Sequence, residues 1–135
     1  MGQDDQSFFV GLKAFLGKDG NLLILQDHEG FWELPGGKIK KSEDVESAFR
    51  REVAEELGSQ VEFSVQGILH SWIRKPHPDK DFVLFLVGLK CTYERGEIIL
   101  SKEHKNFKWI DESDIDGLQF ENTYEDAVRY YFKSS

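Results

Sequence analysis

The chain has 135 residues, 39% of them hydrophobic, with eleven Phe and three Trp, which suits one domain (residues 1–135) able to bury a core without disulfides or a structural metal. Twenty-five Asp and Glu against seventeen Lys and Arg leave a net charge of −8, which excludes broad, sequence-independent binding to nucleic acid polymers or anionic membranes, because like charge repels. The single cysteine, Cys91, rules out an intrachain disulfide and reads as a small buried residue on a strand.

The first residues, MGQDDQSFFVG, are acidic where a secretion signal is basic, and Gln6 stands where a myristoylation motif needs Ser or Thr. No apolar run approaches the roughly 18 residues that span a bilayer. The expectation is a soluble cytoplasmic protein, a monomer or a homodimer.

Residues 8–16 and 21–26 are strand-like apolar runs, and the Asp19-Gly20 pair between them is a hairpin signal. A short WEL piece leads into Pro35-Gly36-Gly37, which stops regular structure and opens a loop. Asp44 is the predicted N-cap of a helix over Val45–Leu57, in which Val45, Ala48, Phe49, Val53 and Leu57 recur at helical spacing and Gly58 suits a left-handed end. Residues 61–72 and 82–92 read as central strands, the second buried on both faces, separated by the polar loop RKPHPDKD. Residues 97–100 and 107–110 are shorter strand candidates flanking SKEHKN. Asn122 and Glu125 form a capping-box pattern ahead of a helix over 123–132. Together these describe one α/β domain with a mixed sheet.

The chemistry concentrates on the first helix. At 100° per residue Glu52 and Glu56 lie on adjacent turns with Glu55 beside them, so three carboxylates share an arc of roughly 100°. Like charges at this spacing cost an exposed helix about 0.2–0.5 kcal/mol per pair. The arrangement therefore calls for a counter-cation that the bare chain does not supply, and a hard divalent ion would serve. Elsewhere the signals are weaker. The stretch DESDIDG places Glu112 and Thr123 where a calcium loop needs Asp and Glu, and reads as a helix-start loop. His28, His70, His77 and His104 show no paired ligand spacing for zinc.

The fragment Gly37-x5-Glu43-x7-Arg51-Glu52-Val53-x-Glu55-Glu56-x-Gly58 resembles the signature box of the Nudix hydrolases. Seven of these eight letters, with Val53 set aside, recur in a chain of this length by chance on the order of one time in a million. Ser59 departs from the aliphatic residue usual at the last box position. The resemblance implies the family's α/β/α sandwich (α/β, or α+β, with a central mixed sheet), a catalytic loop-helix-loop and a C-terminal helix. It also implies Mg²⁺, with Mn²⁺ able to substitute, held by Glu52, Glu55, Glu56 and the Gly37 carbonyl, with Glu103 as an accessory ligand. The implied reaction is water attack on a phosphorus of a nucleoside diphosphate linked to X. The candidate catalytic set is Glu52, Glu103, Lys38 and Arg51, with either Glu52 or Glu103 as base, while Glu43 pairs structurally with Arg51 and Gly58 closes the box.

The run GFWELPGGKI looks like the mutator-type members that hydrolyse ordinary or oxidised deoxynucleoside triphosphates. ADP-ribose, nucleotide sugars and dinucleoside polyphosphates stay open as substrates. Candidate base-selecting residues are Phe9, Lys13, Trp72, Phe120 and Asn122. A reading from another class, a Nudix-fold domain that binds nucleotide without hydrolysis, fits less well because such members generally have lost box glutamates.

Overall fold

The structure, a computed structural model, describes residues 4–75 and 82–134. Strand β1 (Phe8–Lys18) turns at Asp19 and Gly20, both at positive φ as a tight primed hairpin demands, into β2 (Asn21–Asp27). Only Gly17↔Leu22 and Lys18↔Asn21 pair before the two strands diverge. The space is taken by β4 (Gly36–Lys38), which pairs with β1 from Gly11↔Lys38 to Lys13↔Gly36, so the Gly-Gly segment expected as open loop is a short strand. Beyond the fork β2 pairs with β3 (Trp32–Glu33) and, along most of its length, with β7 (His104–Ile110). The other edge of β1 runs parallel to β6 (Val83–Arg95), and β6 is antiparallel to β5 (Glu62–Ile73).

A mixed sheet built this way has two apolar faces, and each takes one helix. On one face Leu12, Ala14, Leu16, Leu23 and Leu25 meet Ala48, Phe49, Val53 and Leu57 of α1 (Val45–Leu57). On the other, Phe15, Leu22, Ile24 and Leu34 meet Tyr124, Ala127, Val128 and Tyr131 of α2 (Tyr124–Lys133). The alternation along β1 and β2 sets this division, since successive side chains point to opposite faces. The result is the α/β/α sandwich anticipated from the sequence.

Helix α1 begins and ends where its local signals place it. Asp44 accepts from Ser47 N at 2.8 Å, and Gly58 N donates to Ala54 O. Gly58 adopts φ 92 and ψ 157, so its φ is positive as expected but its ψ is extended rather than left-handed. Val45 is 54% exposed and does not belong to the buried stripe.

Three further expectations change. Strand β5 lies at the sheet edge, not the centre, with register shifts at three places and Ile68 72% exposed; bulges of this kind blunt an edge against pairing with other chains. Strand β6 does carry core on both faces through Leu86 and Leu89. Residues 97–100 form an irregular segment instead of a strand, with Ile99 N, and Ser101 N just beyond, donating to the open end of α1 at Leu57 O and Glu56 O. Asn122 caps nothing; Thr123 is the N-cap of α2, and the Asn122 side chain crosses to the backbone N and O of Lys75. Residues 112–117 form a 3-10 turn, and no described helix is long and apolar enough to cross a membrane.

Candidate active site

The loop from β4 to α1 returns to the helix through Arg51. Its Nε and Nη2 donate to the two oxygens of Glu43 at 2.6 and 2.8 Å, a bidentate fork, and its Nη1 donates to Glu52 at 2.8 Å and Glu55 at 3.2 Å. Arg51 Nη2 also reaches Lys38 O at 3.4 Å. The hydrogen bond from Arg51, with one from Lys40 N, pulls the Glu43 carboxyl down to about 2. This corrects the expectation that the chain supplies no cation for the crowded glutamates. Arg51 serves two of the three.

Glu56 is placed differently. It lies inside the core, 7% exposed, and its Oε1 accepts from Gly36 N at 2.6 Å. Burial pushes its carboxyl up to about 7. Both glycines before the loop are required by close approach: a Cβ on Gly36, at φ 141, would stand 2.0 Å from Leu12 O, and one on Gly37 would stand 2.1 Å from Glu52 Oε2. β4 is thus pinned between β1 and the glutamate face of α1.

Around this contact opens a cavity of about 540 Å³ lined by Phe9, Gly37, Lys38, Glu52, Glu56 and Glu103. The Lys38 ammonium sits over the rings of Phe9 and Phe82, 5.6 and 5.2 Å from their centroids. The turn carrying Glu103 is tied down by His28, whose Nε2 lies 2.6 Å from Lys102 O. Glu55, expected among the ion ligands, does not line this cavity; its side chain is 53% exposed and turned to Arg51.

Behind Glu56 lies a buried polar chain that no sequence spacing revealed. Lys13 Nζ reaches Leu34 O at 3.2 Å and Glu33 Oε1 at 3.4 Å, and Glu33 Oε2 lies 3.1 Å from His104 Nε2. Burial opposes the charge on Glu33, but His104 and Lys13 outweigh it and hold the carboxyl down at about 2. His104 likewise rises above the ordinary histidine value against its burial, through Glu33 and Glu56. The one available signal was a Lys within the apolar run of β1.

Of the five base-selecting candidates, only Phe9 lines the cavity beside the box glutamates. Lys13 is buried against Leu34 and Glu33, and Trp72 packs among Phe15 and Tyr124 with its Nε1 buried and without a partner among the described residues. Phe120 is core, bridged to Trp32. Asn122 lines a separate cavity of about 540 Å³ with Asp27, His28 and Glu121. His70 stacks on Tyr130 at 3.9 Å, and His77 lies outside the described residues.

Among the described residues no three His, Cys, Asp or Glu side chains stand grouped to hold a metal ion in this conformation. The donor chemistry nevertheless fits a hard divalent cation: Glu52, Glu56, Glu103 and the backbone of Gly37 face one cavity with oxygen atoms.

The NUDIX domain family model matches residues 10–131. The nucleoside triphosphatase NudI of Escherichia coli O17:K52:H18 (strain UMN026 / ExPEC) is 26% identical over 92 residues, 64% of this chain; the chain spans 65% of that relative's length. The fold is shared with a MutT protein from Methanosarcina mazei Go1 (TM-score 0.79, 22% identity, 97% of this chain and 98% of that one). It is also shared with an ADP-ribose pyrophosphatase from Streptococcus suis 89-1591 (TM-score 0.73, 19% identity, 95% and 92%). A match over nearly the whole chain, on the fold and the box described above, identifies the chain as a member of the NUDIX domain family.

Proposed function

We propose that the chain hydrolyses the phosphoanhydride linkage of a nucleoside diphosphate linked to X, with Mg²⁺, and that (deoxy)nucleoside triphosphates, ordinary or oxidised, are the favoured class. The observation that carries this reading is the convergence of Glu52, Glu56, Glu103, Gly37 and Lys38 on one cavity. Gly37, Glu52, Glu55, Glu56 and Glu103 would hold the ion, which when bound neutralises the diphosphate and lowers the pKa of its water. Mn²⁺ would occupy the same oxygen donors.

The chain's own residues do the rest. Arg51 fixes Glu52 against Gly37 and ties the loop to the helix through Glu43. Lys38 offers a positive charge to the phosphate oxygens at the cavity wall. Glu52, with Glu103 as the second candidate, accepts the proton of the attacking water. A bond forms from water oxygen to phosphorus and the bridging P–O bond breaks, leaving a nucleoside monophosphate and phosphorylated X, which is pyrophosphate when the substrate is a triphosphate.

Support for the triphosphate class comes from the NudI relative, named a nucleoside triphosphatase, and from the WELPGG run beside the box. The fold neighbour titled an ADP-ribose pyrophosphatase keeps that substrate as the second reading. Incubating the protein and Mg²⁺ with a panel of nucleoside triphosphates, ADP-ribose, a nucleotide sugar and a dinucleoside polyphosphate, with products resolved by chromatography, tests both. Fastest release of pyrophosphate from a triphosphate is the expected result. Turnover of none of the panel would defeat the enzymatic reading.

A further inference from the structure

The buried chain behind Glu56 has a geometry that the proposed reaction does not use. Its members are set by backbone register: Lys13 is opposite Gly36 across β1 and β4, Glu33 opposite Leu25 across β3 and β2, and His104 opposite Asp27 across β7 and β2. Each side chain therefore starts from a fixed point in the sheet. Glu33 takes Lys13 on one oxygen and His104 Nε2 on the other. The carboxylate only accepts, so Nε2 donates and the ring plane is fixed.

The second ring nitrogen is then aimed by the first. His104 Nδ1 is buried, has no hydrogen-bond partner among the described residues, and lies 4.0 Å from Glu56 Oε2. The other oxygen of Glu56 is already held by Gly36 N at 2.6 Å. Buried ionic groups contribute little net stability compared with apolar residues of the same volume. A histidine and two charged groups kept in the core, with one nitrogen directed at a box glutamate, call for a role beyond packing.

We propose that His104, oriented by Glu33 and Lys13, is a positioning residue that sets the direction of the Glu56 carboxylate toward the cavity. The inference rests on the reading of Glu56 as an ion ligand. With both ring nitrogens donating, as a protonated imidazole does, a small turn of the Glu56 carboxyl closes the gap to the Nδ1 N–H, and with Gly36 N on the opposite oxygen the group loses its rotational freedom. Partners of this kind behind a metal-binding carboxylate change ion affinity by about ten- to a hundredfold.

Titration of the metal-free protein with Mn²⁺, with free ion followed by electron paramagnetic resonance, tests this apart from turnover. His104→Phe should weaken Mn²⁺ binding by about ten- to a hundredfold and lower kcat in parallel, with KM shifting much less. His104→Asn keeps an amide N–H near the Nδ1 position and should recover most of the lost affinity, which a purely structural role does not predict. Mn²⁺ binding by His104→Phe equal to that of the unmodified protein, or equal loss in both variants, overturns the proposal. Absence of Mn²⁺ binding by the unmodified protein overturns the ion reading of Glu56 and this inference together, whereas unaffected variants overturn the inference alone.

Discussion

Adjacent glycines 36 and 37 should respond to the same substitution in opposite ways. An alanine Cβ at Gly37 falls 2.1 Å from Glu52 Oε2 and 2.3 Å from its Cδ, so a carboxyl that belongs at 3.4 Å or more must withdraw by over an ångström. The obstacle is the end of a flexible side chain, and yielding breaks the half-buried contact with Arg51 Nη1 at 2.8 Å, worth about 1 kcal/mol. The stiffer unfolded chain returns about 0.4–1 kcal/mol. Gly37→Ala should therefore keep its Tm within about 2–6 °C while losing at least about a hundredfold in kcat, the usual consequence of displacing a reacting group by an ångström. At Gly36 the Cβ meets Leu12 O at 2.0 Å and Lys13 Cα at 2.9 Å, backbone atoms of a strand paired on both edges, and φ is 141. Neither can move, so Gly36→Ala should cost more than about 3 kcal/mol. Thermal denaturation by circular dichroism and steady-state turnover on the best panel nucleotide separate the two effects. Near-normal turnover by Gly37→Ala, or normal stability of Gly36→Ala, would refute the reasoning.

Arg51→Lys replaces a five-donor fork by a point charge that cannot serve Glu43, Glu52 and Glu55 together; a lower midpoint in chemical denaturation is expected, and an unchanged midpoint would show that the hub is dispensable. Phe49 is buried against α1's partners and edge-on to Phe63, so Phe49→Ala should cost about 3–5 kcal/mol in the same assay, with a smaller effect than about 1 kcal/mol counting against this core. Burial pushes the Cys91 thiol up to about 12, so a thiol-specific chromogenic disulfide at pH 8 should label it only after denaturant is added. The pH dependence of metal-free stability has two limbs. Glu56, raised from 4.5 to about 7, stabilises below pH 4.5 and loses that contribution as pH rises through 7; Glu33, lowered to about 2, stabilises above pH 4.5 and loses its contribution as pH falls through 2. Denaturant midpoints should therefore peak on the acid side, near pH 4.5–5, and saturating Mg²⁺ should move the peak toward neutrality; a metal-free maximum at pH 8 would contradict the burial of Glu56.

What was legible in the sequence is what local chemistry decides. Asp44, the apolar spacing and Gly58 are signals within one helix length, and α1 forms over the residues they bracket. The single contact from Arg51 Nη1 to Glu55 spans i, i+4 in the same helix, a spacing present in the sequence but not read there as a counter-charge. What was missed depends on pairings remote in sequence. No local feature of Gly36 and Gly37 shows that β1 will lend its edge to them after two pairs with β2, and no composition separates an edge strand such as β5 from a central one. Residues 97–100 carry the β-branched pattern of a strand, yet the Ile99 donor is captured by the Leu57 carbonyl at the end of α1. Lys13, Glu33 and His104 come from three strands, so their contact appears only once the sheet is assembled.

The charge crowding on α1 also changes its meaning once Arg51 is placed. One guanidinium contacts three carboxylates, Glu43, Glu52 and Glu55, and so leaves that hub with two negative charges in excess. Arg51 contacts Glu52 through Oε1, while Oε2 is the oxygen against Gly37 on the cavity side. The internal cation thus organises the glutamates without neutralising them. Lys13, the other buried cation near the site, is committed to Leu34 and Glu33, and it is Glu56, not Lys13, that lines the cavity. Lys38, Lys40 and Lys41 line the cavity with Glu52, Glu56 and Glu103, so three ammonium groups face three carboxylates and the charge of a triphosphate is left unbalanced. On the proposed reading, a divalent ion held by the oxygen donors of this cavity would supply the missing positive charge.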